Sequence, residues 1–300
     1  MKTIYSIILI LLIVSCSGSK KAIENAKEDE VEVEVEIEKV ETKIEVEEVE
    51  TEVEVETEEK VEPQKAEEKN TKEDSFGLNQ TLSKRVGPLH ILYDELLQKY
   101  VSKEGNVNYK GFKSSHKELL GYISVLQKLY PYLDSLSRED KLAYWINAYN
   151  ALTIDLILRN YPVKSIKDIK DPWDQRLWKF GDKWFNLNQI EHEILRKMDE
   201  PRIHFAIVCA SFSCPKLQNS AFTAENLDAQ LTEATKSFLA DPNRNDLSED
   251  RIAISKIFKW FKSDFTENGS VIDFLNQYSE VNISSNAKKT YKDYNWDLND

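Results

Sequence analysis

Residues 137–160, SREDKLAYWINAYNALTIDLILRN, form the most strongly patterned segment of the chain. Ser137, with Asp140 three positions later, is typical of a helix N-cap and makes a variant of the capping box. The apolar residues at helical spacing on one face are Leu142, Trp145, Ile146, Tyr149, Leu152 and Leu156. The opposite side is apolar as well, and Pro162 ends the segment. We therefore predict a helix over 137–160 that is buried nearly all round.

Two asparagines, Asn147 and Asn150, interrupt this apolar helix. A buried amide must find hydrogen-bond partners, so both side chains are expected to have defined contacts. One interpretation is structural, in which they tie the helix to neighbouring loops. The other is functional, in which they orient a catalytic imidazole or hold a ligand.

The first 16 residues read as an export signal. Lys2 supplies a positive start, and the apolar run from Ile4 to Val14 is too short to span a bilayer. The ending Ile-Val-Ser-Cys resembles the lipobox of bacterial lipoproteins, a family in which the cysteine is lipidated. This predicts lipidation at Cys16 and anchoring to a bacterial membrane, on the periplasmic side or at the surface. A plain signal peptide with an incidental cysteine is the alternative.

Residues 17–75 form an acidic, low-complexity segment with 23 Asp and Glu against 9 Lys and Arg, a net charge of −14. We predict a disordered, self-repelling tether. Strand pairing with a partner is the alternative, because Val and Glu alternate there. The predicted globular domain, residues 82–300, follows it. Residues 76–300 have a net charge of zero, so the domain lacks the basic excess of nucleic-acid-binding proteins.

The remaining patterns predict a helix-rich single domain of the α+β class, or an α/β fold with a small sheet. Besides 137–160, helices are expected over 87–100, 114–130, 188–198, 225–239, 256–265 and 271–278, with Asn188 and Ser255 as N-caps. Strands are expected at 184–187, 203–210 and 251–255. Residues 290–298 are expected to close the sheet or to pack against it. The run 203–210 is apolar throughout, as in strands that are buried on both faces.

The segment 202–215, RIHFAIVCASFSCP, concentrates the reactive side chains. Three interpretations of Cys209 and Cys214 remain open: a disulfide, a thiol nucleophile with a histidine partner, or a tetrahedral metal site that also uses His192 and His204. In a regular strand, residues 204 and 209 point to opposite faces. His192 is then the better base for Cys209.

In the alternative, His204 would serve as the base for a thiol or hydroxyl group on the following loop, at Ser211 or Cys214. Ligands in open sheets gather beyond the carboxyl ends of the strands, which favours this loop as the site. Asn147 or Asn150 would orient the imidazole.

Five blocks carry a family resemblance: YWINAYNALTIDLIL, LNQIEHEIL, PRIHFAIVCASFSCPKL, SKIFKWFKSDF and YNWDLN. In this order they resemble the family known as domain of unknown function 547, over roughly 140–298. The resemblance implies occurrence in bacterial lipoproteins and carries no established reaction. The polar positions within its blocks are Asn147, Asn150, His192, His204, Cys209, Ser211 and Cys214.

These observations lead to two hypotheses for a lipid-anchored envelope protein. The first is a thiol-dependent hydrolase or transferase acting on peptide or amide bonds, with Cys209 as nucleophile. The second is a non-catalytic binding or scaffold module with a structural Cys209–Cys214 disulfide. Both expect the membrane and an unknown peptide or protein ligand as partners. Neither requires nucleic acid, a metal or a cofactor.

Overall fold

The computed structural model describes residues 89–300, so the predicted signal peptide (1–16) and acidic tether (17–75) lie outside the described residues. The α-helices in this range are α1 (Ile91–Tyr100), α2 (Tyr109–Phe112), α3 (His116–Leu129), α4 (Arg138–Asn160), α5 (Leu187–Gln189), α6 (Leu227–Ala240), α7 (Ile257–Trp260), α8 (Lys262–Phe265) and α9 (Val271–Tyr278). The strands are β1 (Trp178–Phe180), β2 (Lys183–Phe185), β3 (Asp246–Leu247), β4 (Arg251–Ile254) and β5 (Lys288–Tyr291). None of the described helices is long and apolar enough to cross a membrane.

Helix α4 is the central element, as its sequence predicts. The Ser137 hydroxyl accepts a hydrogen bond from the Asp140 N–H at 3.0 Å, which confirms the N-cap. Every residue from Leu142 to Leu158 is buried. The helix packs against α3 on one side and against the segment 187–198 on another. An all-round apolar sequence is stable in this position because each face meets a different neighbour.

The strands form two small sheets, which confirms the α+β class. Strands β1 and β2 make a hairpin whose rings Phe180 and Phe185 pack on Trp145 of α4. Strand β4 pairs antiparallel with β3 and parallel with β5. This second sheet covers a core of aromatic rings that includes Phe205, Phe258 and Phe274. Part of the predicted 290–298 segment therefore closes the sheet, through β5.

Several predicted helices are confirmed with shifts of one or two residues at their ends: 114–130 as α3, 225–239 as α6, and 271–278 as α9 without change. The helix predicted over 87–100 begins at Ile91 as α1. The predicted helix 256–265 is instead two single turns, α7 and α8, which meet at Phe261.

The strand predicted over 203–210 is wrong. Pro201–Phe205 is a 3₁₀ helix, with the Glu200 carboxylate accepting from the N–H of Arg202. The chain beyond it is irregular. Two of its backbone groups bond to a side chain, because Asn150 of α4 accepts from the Val208 N–H and donates to the Ala206 carbonyl. An apolar run buried on all sides satisfies the strand pattern without a sheet, so periodicity could not separate the two.

The segment after β2 also differs from its prediction. Its N-cap is Asn186, whose side chain accepts from the Gln189 N–H at 2.8 Å, rather than Asn188. The helix is composite: α5 leads into a π-helical turn, Ile190–Ile194, and then a 3₁₀ turn, Leu195–Met198. Single π-helical turns occur frequently at functional sites, and this one carries His192.

Candidate functional site

A cavity of about 370 Å³ lies where the composite helix, the 209–214 loop, α7 and the C-terminal segment meet. Its size falls in the ordinary range for small-molecule sites. The residues that line it are Tyr149, Trp173, Asp174, Asn188, Glu191, His192, His204, Ile207, Cys209, Cys214, Pro215, Ile257, Trp260, Phe261, Tyr294 and Trp296. Four predicted site residues, both histidines and both cysteines, thus share one cavity.

Cys209 and Cys214 form a disulfide in the cavity wall, with their Cα atoms 6.4 Å apart. The loop between them is held by contacts on both sides. Ala210 has a φ of 58°, in the left-handed region that a non-glycine residue occupies only when its surroundings enforce it. The Arg244 guanidinium donates to the carbonyl oxygens of Phe212 and Cys214 at 2.5 and 2.6 Å. In this oxidised form neither sulfur is a thiolate nucleophile.

The two sulfurs have unequal surroundings. The Cys214 Sγ accepts from the Cys209 backbone N–H at 3.0 Å and from the Tyr294 hydroxyl at 3.3 Å. Ser211 in turn donates to the Tyr294 oxygen at 3.0 Å and lies 3.2 Å from the Cys209 Sγ. Burial raises the pKa of Tyr294 to about 12, so this hydroxyl keeps its proton at neutral pH.

His204 reaches the cavity from the buried end of the 3₁₀ helix. Its Nε2 lies 2.9 Å from the Asp264 carboxylate, and its ring stacks on Phe261 with centroids 4.0 Å apart. Burial lowers the pKa of His204, although the Asp264 carboxylate opposes this effect. The lowered pKa favours the neutral ring. Burial alone would raise the pKa of Asp264, but donors from Arg196 and His204 hold it well below its usual range.

Glu191 and His192 occupy the π-helical turn. Burial raises the pKa of Glu191 to about 7, although the Tyr149 hydroxyl donates to its carboxylate at 3.0 Å. The His192 Nδ1 lies 2.8 Å from an Arg196 nitrogen. A guanidinium only donates, so this ring nitrogen accepts and the imidazole is neutral. Burial and the Arg196 charge both lower the pKa of His192.

The two predicted asparagines are buried outside this set. The Asn147 side chain donates to the Phe222 carbonyl at 2.8 Å and accepts from the Phe222 N–H at 2.9 Å. The Asn150 side chain donates to the Ala206 carbonyl and accepts from the Val208 N–H, as described above. Each joins α4 to an irregular segment, which supports the structural interpretation. Among residues 89–300, the polar side chain that contacts the His204 imidazole as a carboxylate is Asp264, rather than either asparagine.

Cys209 and His204 line the same cavity, although the sequence argument placed them on opposite faces. Opposite faces are expected only in a regular strand, and His204 lies in a 3₁₀ helix instead. Glu191, Asp264 and Tyr294 also line or border the cavity and were not among the predicted site residues. All three lie within the blocks that carry the family resemblance, which was the available signal.

The metal interpretation gains no support in the described range. No group of three or more His, Cys, Asp or Glu side chains among residues 89–300 is placed to hold a metal ion. The two sulfurs of the suggested ligand set are bonded to each other, and His204 is hydrogen-bonded to Asp264.

Comparison with known proteins identifies one relationship. Residues 133–239 match the model of a family described as "Protein of unknown function, DUF547". No curated protein and no solved structure matches the chain. The matched segment includes α4, both histidines of the cavity and the 209–214 loop, while Asp264 and Tyr294 follow it. Through residues 133–239 the chain is similar to the DUF547 family of proteins of unknown function.

Proposed function

We propose that this domain is a binding module whose cavity takes a ligand bearing an organic ammonium group. One observation carries the proposal. Among the residues that the structure describes, the cavity is lined by two carboxylates and no Lys or Arg, together with six aromatic side chains: Tyr149, Trp173, Trp260, Phe261, Tyr294 and Trp296. Aromatic faces attract cations through the ring quadrupole, most strongly when the pair is shielded from water.

The aromatic residues form a continuous wall. The ring of Tyr294 lies 4.8 Å from that of Trp260 and 4.6 Å from that of Trp296, and Trp173 lies 5.9 Å from Trp296. The Lys167 ammonium already lies 3.8 Å from the Trp296 centroid. This wall therefore contacts an ammonium of the same chain, which supports its affinity for such a group.

The carboxylates give the cavity its charge. Asp174 is exposed at the edge, and Glu191 lies deeper, bonded to Tyr149. The charge of nearby Asp264 is matched by Arg196 at 2.6 Å. Because the pKa of Glu191 is about 7, its negative charge, and with it the affinity for a cation, increases as the pH rises through neutrality. A lysine side chain or a terminal amine of a peptide has the required chemistry.

The test compares choline with its uncharged isostere 3,3-dimethylbutan-1-ol by titration calorimetry on the oxidised full chain. We expect choline to bind at least about fivefold more tightly, corresponding to about 1 kcal/mol for a cation on aromatic faces. Trp260→Ala should weaken choline binding by a similar factor. Trp184→Ala is the matched control, because Trp184 is exposed on β2 away from the cavity. Equal binding of both probes, or equal effects of both variants, would contradict the proposal.

A thiol-dependent hydrolase or transferase is the second candidate function. It is favoured by the pair His204–Asp264, a base with an orienting carboxylate, on the same cavity as Cys209. This function requires reduction of the disulfide. The reduced full chain carrying Cys16→Ser should then react with an electrophilic amide probe, and addition of Cys209→Ala should abolish the reaction. Reaction of the Cys209→Ala variant at the unaltered rate would reject it.

We also propose that Cys16 is lipidated and anchors the protein to the envelope. The support is the sequence Ile13-Val14-Ser15-Cys16 at the end of a short apolar run. Expression of the full chain in a bacterium, followed by mass spectrometry of the N-terminal peptide, tests this. We expect an acylated Cys16 at the N-terminus of the exported protein. A free Cys16 thiol in the exported protein would contradict the proposed lipidation.

A further inference from the structure

We infer that the Cys209–Cys214 disulfide undergoes directed exchange with small thiols, in which Cys209 is attacked and Cys214 is released. The inference is independent of what else the cavity binds. It rests on the unequal hydrogen bonding and unequal exposure of the two sulfurs. In thiol–disulfide exchange, the sulfur that leaves is the one whose thiolate is better stabilised, and the sulfur attacked is the accessible one.

The leaving sulfur is identified by its donors. The Cys214 Sγ accepts from the Cys209 backbone N–H at 3.0 Å. The Tyr294 hydroxyl oxygen lies closer to the Cys214 Sγ, at 3.3 Å, than to the Cys209 Sγ, at 3.5 Å, so it is the second donor to Cys214. Hydrogen bonds to a charged acceptor are stronger than those to a neutral one, so both donors strengthen as charge develops on Cys214.

Ser211 reinforces this asymmetry. Its hydroxyl donates to the Tyr294 oxygen at 3.0 Å, which polarises the Tyr294 O–H toward sulfur. The Ser211 oxygen also lies 3.2 Å from the Cys209 Sγ and can accept the proton of a Cys209 thiol in the fully reduced protein. The arrangement therefore favours a thiolate on Cys214 over a thiolate on Cys209, and Cys209 would act as a nucleophile in the reduced protein only after its proton passes to a base such as His204.

The exposure of the two sulfurs also favours attack at Cys209 and release of Cys214. Cys214 is 3% exposed, whereas Cys209 is partly exposed at the cavity wall. The cavity provides room for a small thiol beside Cys209. Larger thiol-bearing proteins would have to present the thiol on an extended segment to reach it.

The reaction balances with a thiol as the co-reactant. An incoming thiolate forms a bond to the Cys209 Sγ, the Cys209–Cys214 bond breaks, and its electron pair leaves on the Cys214 Sγ. A second thiolate then attacks the added sulfur of the mixed disulfide, which yields a small-molecule disulfide and the Cys209 thiolate. That thiolate takes a proton from water, and the resulting thiol donates a hydrogen bond to Ser211. The protein is reduced by two electrons, and two thiols are oxidised.

The first experiment determines which sulfur is attacked. The full chain carrying Cys16→Ser, in its oxidised form, is treated with 2-mercaptoethanol in the presence of iodoacetamide, which caps each released thiolate. Fragmentation of the peptide that contains both cysteines then locates the two groups. We expect mercaptoethanol on Cys209 and carbamidomethyl on Cys214 to exceed the reverse product by about tenfold, the value of a charge-assisted hydrogen bond. Equal products, the reverse product in excess, or no adduct at all would overturn the inference.

The second experiment tests the donor. Tyr294→Phe removes one of the two hydrogen bonds to Cys214 and should slow exchange with 2-mercaptoethanol by about five- to tenfold. Tyr291→Phe, on the neighbouring strand β5, is the matched control and should react at the rate of the unaltered chain. Equal rates for the two variants would refute the role of Tyr294. Because the first experiment uses the intact loop and Tyr294, the inference can be rejected even if the Phe variant folds poorly.

Discussion

Replacing Glu191 with glutamine should stabilise the protein in a pH-dependent way. The pKa of this carboxyl is about 7 in the folded chain and about 4.5 in the unfolded chain. A raised carboxyl pKa means that folding favours the neutral form. The loss of unfolding free energy caused by ionisation of Glu191 is therefore absent below pH 4.5, grows as the pH rises, and is complete above pH 7. The pKa difference of about 2.5 corresponds to about 3 kcal/mol of unfolding free energy.

The glutamine amide of this variant does not titrate, and its oxygen can still accept from the Tyr149 hydroxyl. Urea unfolding of the full chain, followed by tryptophan fluorescence at pH 4.5 and pH 8, measures the effect. Glu191→Gln should match the unaltered chain at pH 4.5 and exceed its unfolding free energy by about 3 kcal/mol at pH 8. The histidines titrate in both chains, so their contribution to the pH dependence of the unfolding free energy cancels in the difference between the two chains. The same difference at both pH values would refute the buried, neutral state of Glu191.

Two further predictions follow from the contacts around the cavity. Asn147→Ala and Asn150→Ala should each reduce the unfolding free energy by about 2–4 kcal/mol, because each leaves a buried carbonyl and a buried N–H without partners. Asn160→Ala, at the exposed end of α4, should cost less than about 1 kcal/mol in the same urea assay, and equal costs would contradict the structural role of the pair. Asp264→Asn should lower the pKa of His204 further, because the Asp264 carboxylate opposes the effect of burial; a rise in an NMR titration would contradict the pairing.

The parts of the fold that the sequence predicts well are those in which local signals and burial agree. Helix α4 has an N-cap, a continuous apolar surface and a terminating proline, so its bounds are predicted within one residue. Helix α9 has Ser270 as N-cap with Asp273 three positions later, and its bounds are predicted without error. In both helices the capping residue and the apolar pattern specify the same start.

The segment 203–210 shows where this reasoning fails. Its apolar residues are buried, as predicted, but its backbone polar groups bond within the turn, to the Asn150 side chain, to the Cys214 sulfur and to Asn299 rather than to neighbouring strands. Sequence periodicity records burial and carries no information on the partner of each N–H and carbonyl. This error also affected the predicted site, because in a strand His204 and Cys209 would point to opposite faces.

The cavity could be predicted only in part for a related reason. Its reactive centre comes from the matched segment, which contains His192, His204 and both cysteines. The groups that set their chemistry, Asp264 and Tyr294, lie about 60 and 80 residues further along the chain. Contacts over such separations follow from the tertiary fold and have no local sequence signature.

The most direct test of the central claim, recognition of an organic ammonium group by the aromatic cavity, is an experimental structure of the oxidised full chain with choline. The claim predicts a quaternary nitrogen within about 6 Å of the ring centroids of Trp260 and Trp296, on the side of the cavity that Glu191 lines. An empty cavity at a choline concentration that saturates the protein in solution would contradict it. So would choline bound at another surface of the domain.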